Sequence, residues 1–367
     1  MRVAIVDPAS WSLAYDAPLG AALARAGCEV TLHCTRSPHG AQAMVDDEPG
    51  FTVEESFYRS GYGMGFLPRR VGRAAQHPLD LAKLTRRLRT EADVVMVQWM
   101  PGRRIDAKAW ARLAADVPVT FTAHNAQERD NAVDPTLLGG FSAVIAHSEG
   151  GADVLRSAGL ENVWHMRLGA YTQYRDAPEP PAPPVDVPAD APLVVLAGLL
   201  RDYKGVDVLL EAWPSVVERV PDAQLVIAGR PMGIDLPDTP PHNATIVPRF
   251  VSEEELGWLL RRASVCALPY RRIDMSGIAA AALACGTPLV LSDVGGFAEF
   301  EGRGGMLVPP GDASALADML AATIGHPARQ AALAEQARVA TADYFSWDAI
   351  AHEYVTRLGS LAHGTIA

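Results

Sequence analysis

Short apolar runs alternate with helix-length amphipathic segments along almost the whole chain, and that alternation decides the fold class. In the first half, strands are expected at Val3–Val6, Val30–Cys34, Val94–Gln98, Val119–Ala123 and Ala143–His147. Helices are expected at Pro18–Ala26, Leu79–Arg89, Ala107–Ala115 and Gly151–Ala158, with Gly27 and Gly159 as stop signals. The second half repeats the pattern with strands Leu193–Ala197, Gln224–Ala228, Thr245–Val247, Val265–Leu268, Pro288–Leu291 and Met306–Val308. Its helices are expected at Val206–Val217, Glu253–Arg262, Ile278–Ala284, Ala313–Gly325, Ala328–Asp343 and Trp347–Leu361. Parallel strands need long crossovers, so this alternation predicts doubly wound, Rossmann-like parallel sheets covered by helices.

Between the halves lies Ala177–Pro192, APEPPAPPVDVPADAP. Proline at this density excludes a helix or central strand and predicts an extended, semi-rigid linker, a hinge on which two domains close. The expected domains are 1–176 and 193–345, with 177–192 between them and a C-terminal helix near 346–367 packing back on the first. The 367 residues suit two domains. Open α/β sheets bind ligands outside the carboxyl ends of their strands, so the two halves are expected to face a central cleft.

Hydrophobic residues make up 49% and charged residues 20%, the balance of a globular protein. No apolar run approaches the roughly 20 residues of a membrane helix, and MRVAIVDP enters a strand without a basic leader. Cys28, Cys34, Cys266 and Cys285 are scattered without a CxxC and read as reduced thiols of a cytoplasmic protein. A net charge of -11 excludes generic nucleic-acid binding. Against that acidity, Ser56–Thr90 carries Arg59, Arg69, Arg70, Arg73, Lys83, Arg86, Arg87 and Arg89 with Asp80 as its acid. Phe57, Tyr58, Tyr62, Met64, Phe66 and Leu67 interleave with them, and Gly61, Gly63 and Gly65 loosen the chain. The segment 56–90 reads either as a solvated loop and basic helix or as a peripheral contact with anionic lipid at the inner membrane face, or with an anionic acceptor.

Leu193–Trp213 runs from a strand through Gly198, Arg201, Lys204 and Gly205 into an amphipathic helix. Such a junction offers backbone N–H groups and the positive end of a helix dipole, and two cations beside it suit a diphosphate. The strand Gln224–Ala228 delivers Gly229 and Arg230. Asp274, Met275, Ser276, Gly277 and Ile278 open an Ala-rich helix whose first N–H groups face an anion or sugar hydroxyls. The CGTP turn at Cys285–Pro288, the Gly295-Gly296 loop with Glu299, and LVPPGD at Leu307–Asp312 follow.

These residues, in order and spacing, resemble the retaining GT-B glycosyltransferases of glycosyltransferase family 4. The likeness covers nearly all of Leu193–Ile324. The first half is similar more loosely, through its opening strand, GCEVT at Gly27–Thr31 and TAHN at Thr122–Asn125. The resemblance implies GT-B architecture and sugar transfer from a nucleotide-diphosphate sugar to an acceptor hydroxyl or amine with retained anomeric configuration. A UDP-sugar is favoured over a GDP-sugar, and the acceptor is a small molecule, glycan or lipid-linked sugar. Lys204 matches the family's phosphate-binding lysine. The family's arginine usually follows the loop glycine, where this chain has Leu199, so Arg201 is expected to reach the diphosphate from a shifted position. Its two glutamates fall at Ile273 and Ala281, leaving Asp274 as a substitute for the first. His124 matches a histidine that approaches the donor sugar. Base contacts are expected from backbone at Arg249, Phe250 and Val251. Tyr15, Asp16, Asn125 and Glu128 are expected on the acceptor side.

No Asp-x-Asp pair is poised for Mg²⁺, so no metal and no permanent cofactor are expected, and Arg201, Lys204 and the Gly277 N–H are expected to stabilise the leaving diphosphate. Two other readings remain open: a nucleotide-sugar epimerase using Asp274 and Glu299, and a non-catalytic nucleotide-sugar-binding protein. The turn Asp7–Trp11 lacks G-x-G-x-x-G, which argues against a dehydrogenase.

Overall fold

The computed structural model describes residues 1–36, 48–59, 66–126 and 134–364, with backbone only for 66–70. The chain divides into two compact units, Met1–Gly169 with Trp347–Ala367, and Ala170–Ser346.

In the first unit β1 (Arg2–Asp7), α1 (Leu13–Arg25), β2 (Glu29–Cys34), β3 (Phe51–Glu55), α2 (Phe66–Glu91), β4 (Val94–Val97) and α3 (Arg104–Leu113) come first. Then follow β5 (Val119–Thr122), β6 (Ala143–Ala146), α4 (Glu149–Ser157) and β7 (Val163–His165). The seven strands are parallel in the order β3-β2-β1-β4-β5-β6-β7. Strands β4, β5 and β6 are buried at every position, as expected of strands covered on both faces.

The second unit contains β8 (Leu193–Ala197), α5 (Val206–Arg219), β9 (Gln224–Ala228), β10 (Ala244–Val247), α6 (Glu253–Arg262), β11 (Val265–Leu268) and α7 (Gly277–Ala284). It ends with β12 (Leu289–Ser292), β13 (Gly305–Val308), α8 (Ala313–Ile324) and α9 (Pro327–Ala342). Its parallel order is β10-β9-β8-β11-β12-β13. The final helix, α10 (Trp347–Ala362), belongs to the first unit and lies against α1, where the Tyr15 and Tyr354 hydroxyls are 2.8 Å apart. Both units are doubly wound and Rossmann-like. In each, strand order reverses beside the first strand, at β1/β4 and at β8/β11, and the crevice at such a switch point is where ligands bind.

Three expectations change. Strands β3 and β7 carry no clear strand signal. The first, FTVEE, is a half-buried edge strand with two acids, and the second has three residues. Pro18 does not start α1 but lies within it. The Pro-rich stretch is not at the boundary, which falls at 169/170; it lies inside the second unit, held on its surface. Extended proline-rich backbone leaves its carbonyls unused, and Arg262 Nη2 donates to those of Pro188, Ala189 and Ala191 at 2.7, 2.6 and 2.9 Å. Val185 and Val187 pack on the apolar cluster beneath.

The basic segment also reads differently once folded. Phe57 and Tyr58 are core residues, not solvent-facing anchors. Arg87 makes a two-pronged pair with Glu54 at 2.7 and 3.0 Å, Arg89 pairs with Asp116, and Arg73 lies 5.0 Å from the centre of the Tyr58 ring. The segment itself is poor in acids, but β3 supplies Glu54 and the turn after α3 supplies Asp116. Tyr62, Met64 and the glycines at 61, 63 and 65 lie outside the described residues.

Candidate functional site

The second unit gathers its candidate residues at the β8/β11 switch point. Gly198 follows β8 with φ +100°, a conformation that suits glycine. A Cβ there would lie 3.1 Å from Lys204 Nζ and 3.3 Å from Ile278 Cγ1, so the loop backbone, the lysine and the start of α7 converge. Gly229, at the end of β9, is pressed against the same loop: a Cβ would stand 1.8 Å from the Gly198 carbonyl. Ser276 caps α7, accepting from Ala279 N at 3.3 Å. The first N–H groups of the helix, those of Gly277 and Ile278, have no intrahelical acceptor and carry the positive end of the dipole.

Lys204 is 5% exposed and donates to the Ala197 carbonyl at 3.2 Å and to the Tyr270 hydroxyl at 2.9 Å. Burial lowers its pKa to about 8, with the Arg201 charge pushing the same way. An amine held this way is an unsaturated cation, stabilised further when an anion approaches. Tyr270 is fully buried between Tyr203 and Phe297. Its phenol offers one polar atom, the hydroxyl that accepts from Lys204.

Arg201 lies close enough for its charge to act on Lys204. It lines a cavity of 790 Å³ with Asp202, Asp207, Gly233, Asp235 and Pro240, whose wall does not include Lys204. Arg249 is engaged by Glu255 through two contacts of 2.8 and 2.7 Å, part of the cap of α6, whereas Phe250 is 52% exposed. Val251 packs on the core, and Arg230, which follows Gly229, is exposed. Asp274 is 2% exposed and its carbonyl accepts from Gly296 N at 2.9 Å; Met275 is half-buried. Glu299 is half-buried in the turn Gly295–Phe300. Ile273 and Ala281, where the family resemblance puts glutamates, sit in an apolar cluster.

In the first unit the candidates meet at the β1/β4 switch point. His124 follows β5, its Nε2 3.1 Å from Gln98 Oε1, which places the ring proton on Nε2. It stacks on Trp99 at 4.9 Å and 17° and meets Tyr15 edge-on at 5.3 Å. Burial holds its pKa well below 6.5, with the neighbouring His147 adding to the effect, so the imidazole is neutral. Asn125 is half-buried beside it. Tyr15 and Asp16 are enclosed, at 1% and 0% exposure. Burial, followed by the charge of Asp7, raises the Asp16 pKa well above 3.8. Glu128 lies outside the described residues. Sequence reasoning missed Gln98, Trp99 and His147, which lie at or just past strand ends. Among the described residues no group of three His, Cys, Asp or Glu side chains is placed to share a metal ion, and no helix is long and apolar enough to cross a membrane.

Two family models match in series. Glycosyltransferase Family 4 matches residues 18–166, and Glycosyl transferases group 1 matches residues 191–326. The chain is a glycosyltransferase. Its relatives carry the same class of name. The D-inositol 3-phosphate glycosyltransferase of Xylanimonas cellulosilytica is 29% identical over 91% of this chain and 88% of its own length. That of Saccharomonospora viridis is 34% identical over 44% of this chain and 41% of its own length. Among solved structures, sucrose-phosphate synthase from Thermosynechococcus elongatus matches 99% of this glycosyltransferase and 100% of its own chain, with TM-score 0.68 and 20% identity. Anabaena HepE in complex with UDP matches 98% and 100%, with TM-score 0.68 and 16% identity. A putative UDP-N-acetylglucosamine 2-epimerase from Listeria monocytogenes also shares the fold, at TM-score 0.63, 12% identity and coverage of 100% and 97%, so fold alone does not separate transfer from epimerisation.

Proposed function

We propose that this glycosyltransferase moves a hexose from a UDP-sugar to an acceptor hydroxyl with retained configuration and without a metal ion. The observation that carries the donor site is the convergence of Gly198, Lys204 and the start of α7. A nucleoside diphosphate leaving group gains negative charge as the glycosidic bond breaks. The buried Lys204 ammonium and the N–H groups of Gly277 and Ile278 face that charge in a low-dielectric setting, where each interaction is stronger than in water. UDP in the HepE complex supports uracil over guanine as the base.

Retention follows from attack on the face the diphosphate leaves, with the departing phosphate taking the acceptor proton; no protein nucleophile is assigned. His124, neutral and carrying its proton on Nε2, has Nδ1 free to accept a sugar hydroxyl hydrogen. An epimerase would need acid and base carboxylates facing the sugar, and Asp274 is enclosed. The relatives' named substrate, D-inositol 3-phosphate, makes a polyol acceptor the first class to assay.

A thermal-shift panel of UDP, GDP, ADP and CMP tests the donor. UDP is expected to raise the melting temperature by several degrees at millimolar concentration, more than the others. A flat response across the panel refutes the reading.

A further inference from the structure

Trp11 is 63% exposed, yet the loop that carries it is tied down by side-chain hydrogen bonds. The Asp7 carboxylate accepts from Ala9 N at 3.2 Å and Ser12 N at 2.8 Å. Ser10 adopts φ +56°, unusual for a residue with a side chain, and its hydroxyl donates to the Thr35 carbonyl at 2.6 Å. These bonds hold the backbone on both sides of Trp11 in one conformation and present the indole to solvent.

The neighbouring rings are locked as well. Trp11 meets Trp99 edge-on, centroids 5.3 Å apart. Trp99 donates through Nε1 to the Ser12 hydroxyl at 3.0 Å, and that hydroxyl lies 2.9 Å from Asp16 Oδ2. Trp99 in turn stacks on His124, whose orientation Gln98 fixes. The enclosed Asp7 and Asp16 thus set the positions of both tryptophans. The result is a preorganised aromatic surface bordered by His124 and Asn125.

We propose that Trp11 and Trp99, beside His124, form the acceptor subsite and that it takes the uncharged C–H face of a pyranose ring. The negative π face of the exposed Trp11 indole attracts the weakly positive C–H groups of such a ring, and the polar border meets its hydroxyls. Rings fixed before binding lose little entropy on complex formation. This rests on the glycosyltransferase reading and departs from a phosphorylated polyol as acceptor.

The test is saturation-transfer NMR on the full chain with methyl β-D-glucopyranoside and methyl α-D-mannopyranoside as probes and myo-inositol 1-phosphate as the charged comparison. Transfer to the ring C–H protons of at least one pyranoside is expected. Trp11→Ala should weaken it about tenfold and Trp11→Phe should retain most of it. No pyranoside signal at about 10 mM, or the same signal from Trp11→Ala, overturns the proposal, as does transfer to the inositol phosphate alone. UDP measured in the same samples separates the two readings. Retained UDP binding with no pyranoside signal removes only the acceptor subsite, whereas loss of both removes the donor reading with it.

Discussion

Replacing Lys204 with methionine should change stability in opposite directions at neutral and alkaline pH. The lysine amine is enclosed, with its pKa lowered from 10.5 to about 8 chiefly by burial. At pH 7 both folded and unfolded chains carry the proton, and the folded state bears the full cost of a buried charge. As pH rises from about 8 to 10.5 the folded chain releases the proton first, so stability increases with pH across that window. The gap between the two values corresponds to about 3 kcal/mol. Methionine removes the charge and leaves the Ala197 carbonyl and Tyr270 hydroxyl without the amine, a cost of about 1 kcal/mol for each hydrogen bond. The variant should therefore be about 1 kcal/mol more stable than the parent at pH 7 and about 2 kcal/mol less stable at pH 10.5. Urea unfolding of both proteins at the two pH values gives the difference directly, because every other titrating group cancels. A stability difference that does not move with pH would show that Lys204 is not a buried, strained cation.

Gly198→Ala places a Cβ 3.1 Å from Lys204 Nζ at φ +100°; it should cost about 1–3 kcal/mol in urea unfolding and weaken UDP binding, and a variant with both unchanged would contradict the close approach. Asp16→Asn should raise the melting temperature at pH 7.5 and change it less at pH 4. The folded Asp16 pKa lies well above 3.8, so its favourable contribution is lost as pH rises through that folded value, and the amide removes the buried charge. A larger loss of stability at pH 7.5 than at pH 4 would contradict it.

The second unit was the more legible half because its elements are regular and its motifs are local. Each of its expected helices and strands has a counterpart, and Gly198, Lys204 and the α7 start do converge. What sequence did not reveal are the partners: Lys204 turns inward to the Tyr270 hydroxyl, and Arg201 lines a neighbouring cavity while its charge still acts on the lysine. In the first unit the sequence named Tyr15, Asp16 and His124 but not the contacts that relate them. Asp16 reaches Trp99 through Ser12, a link spanning α1 and the end of β4 that no spacing rule anticipates. Short edge strands, distant acids neutralising a basic helix, and an arginine gathering proline-rich carbonyls are likewise products of tertiary folding.

Calorimetric titration of UDP into the parent and Lys204→Met proteins at pH 7 tests the donor site most directly. The account predicts measurable binding to the parent and a loss of about 10- to 150-fold in the variant, the worth of a hydrogen bond to a charged group. Equal affinities, with the variant folded, would contradict it.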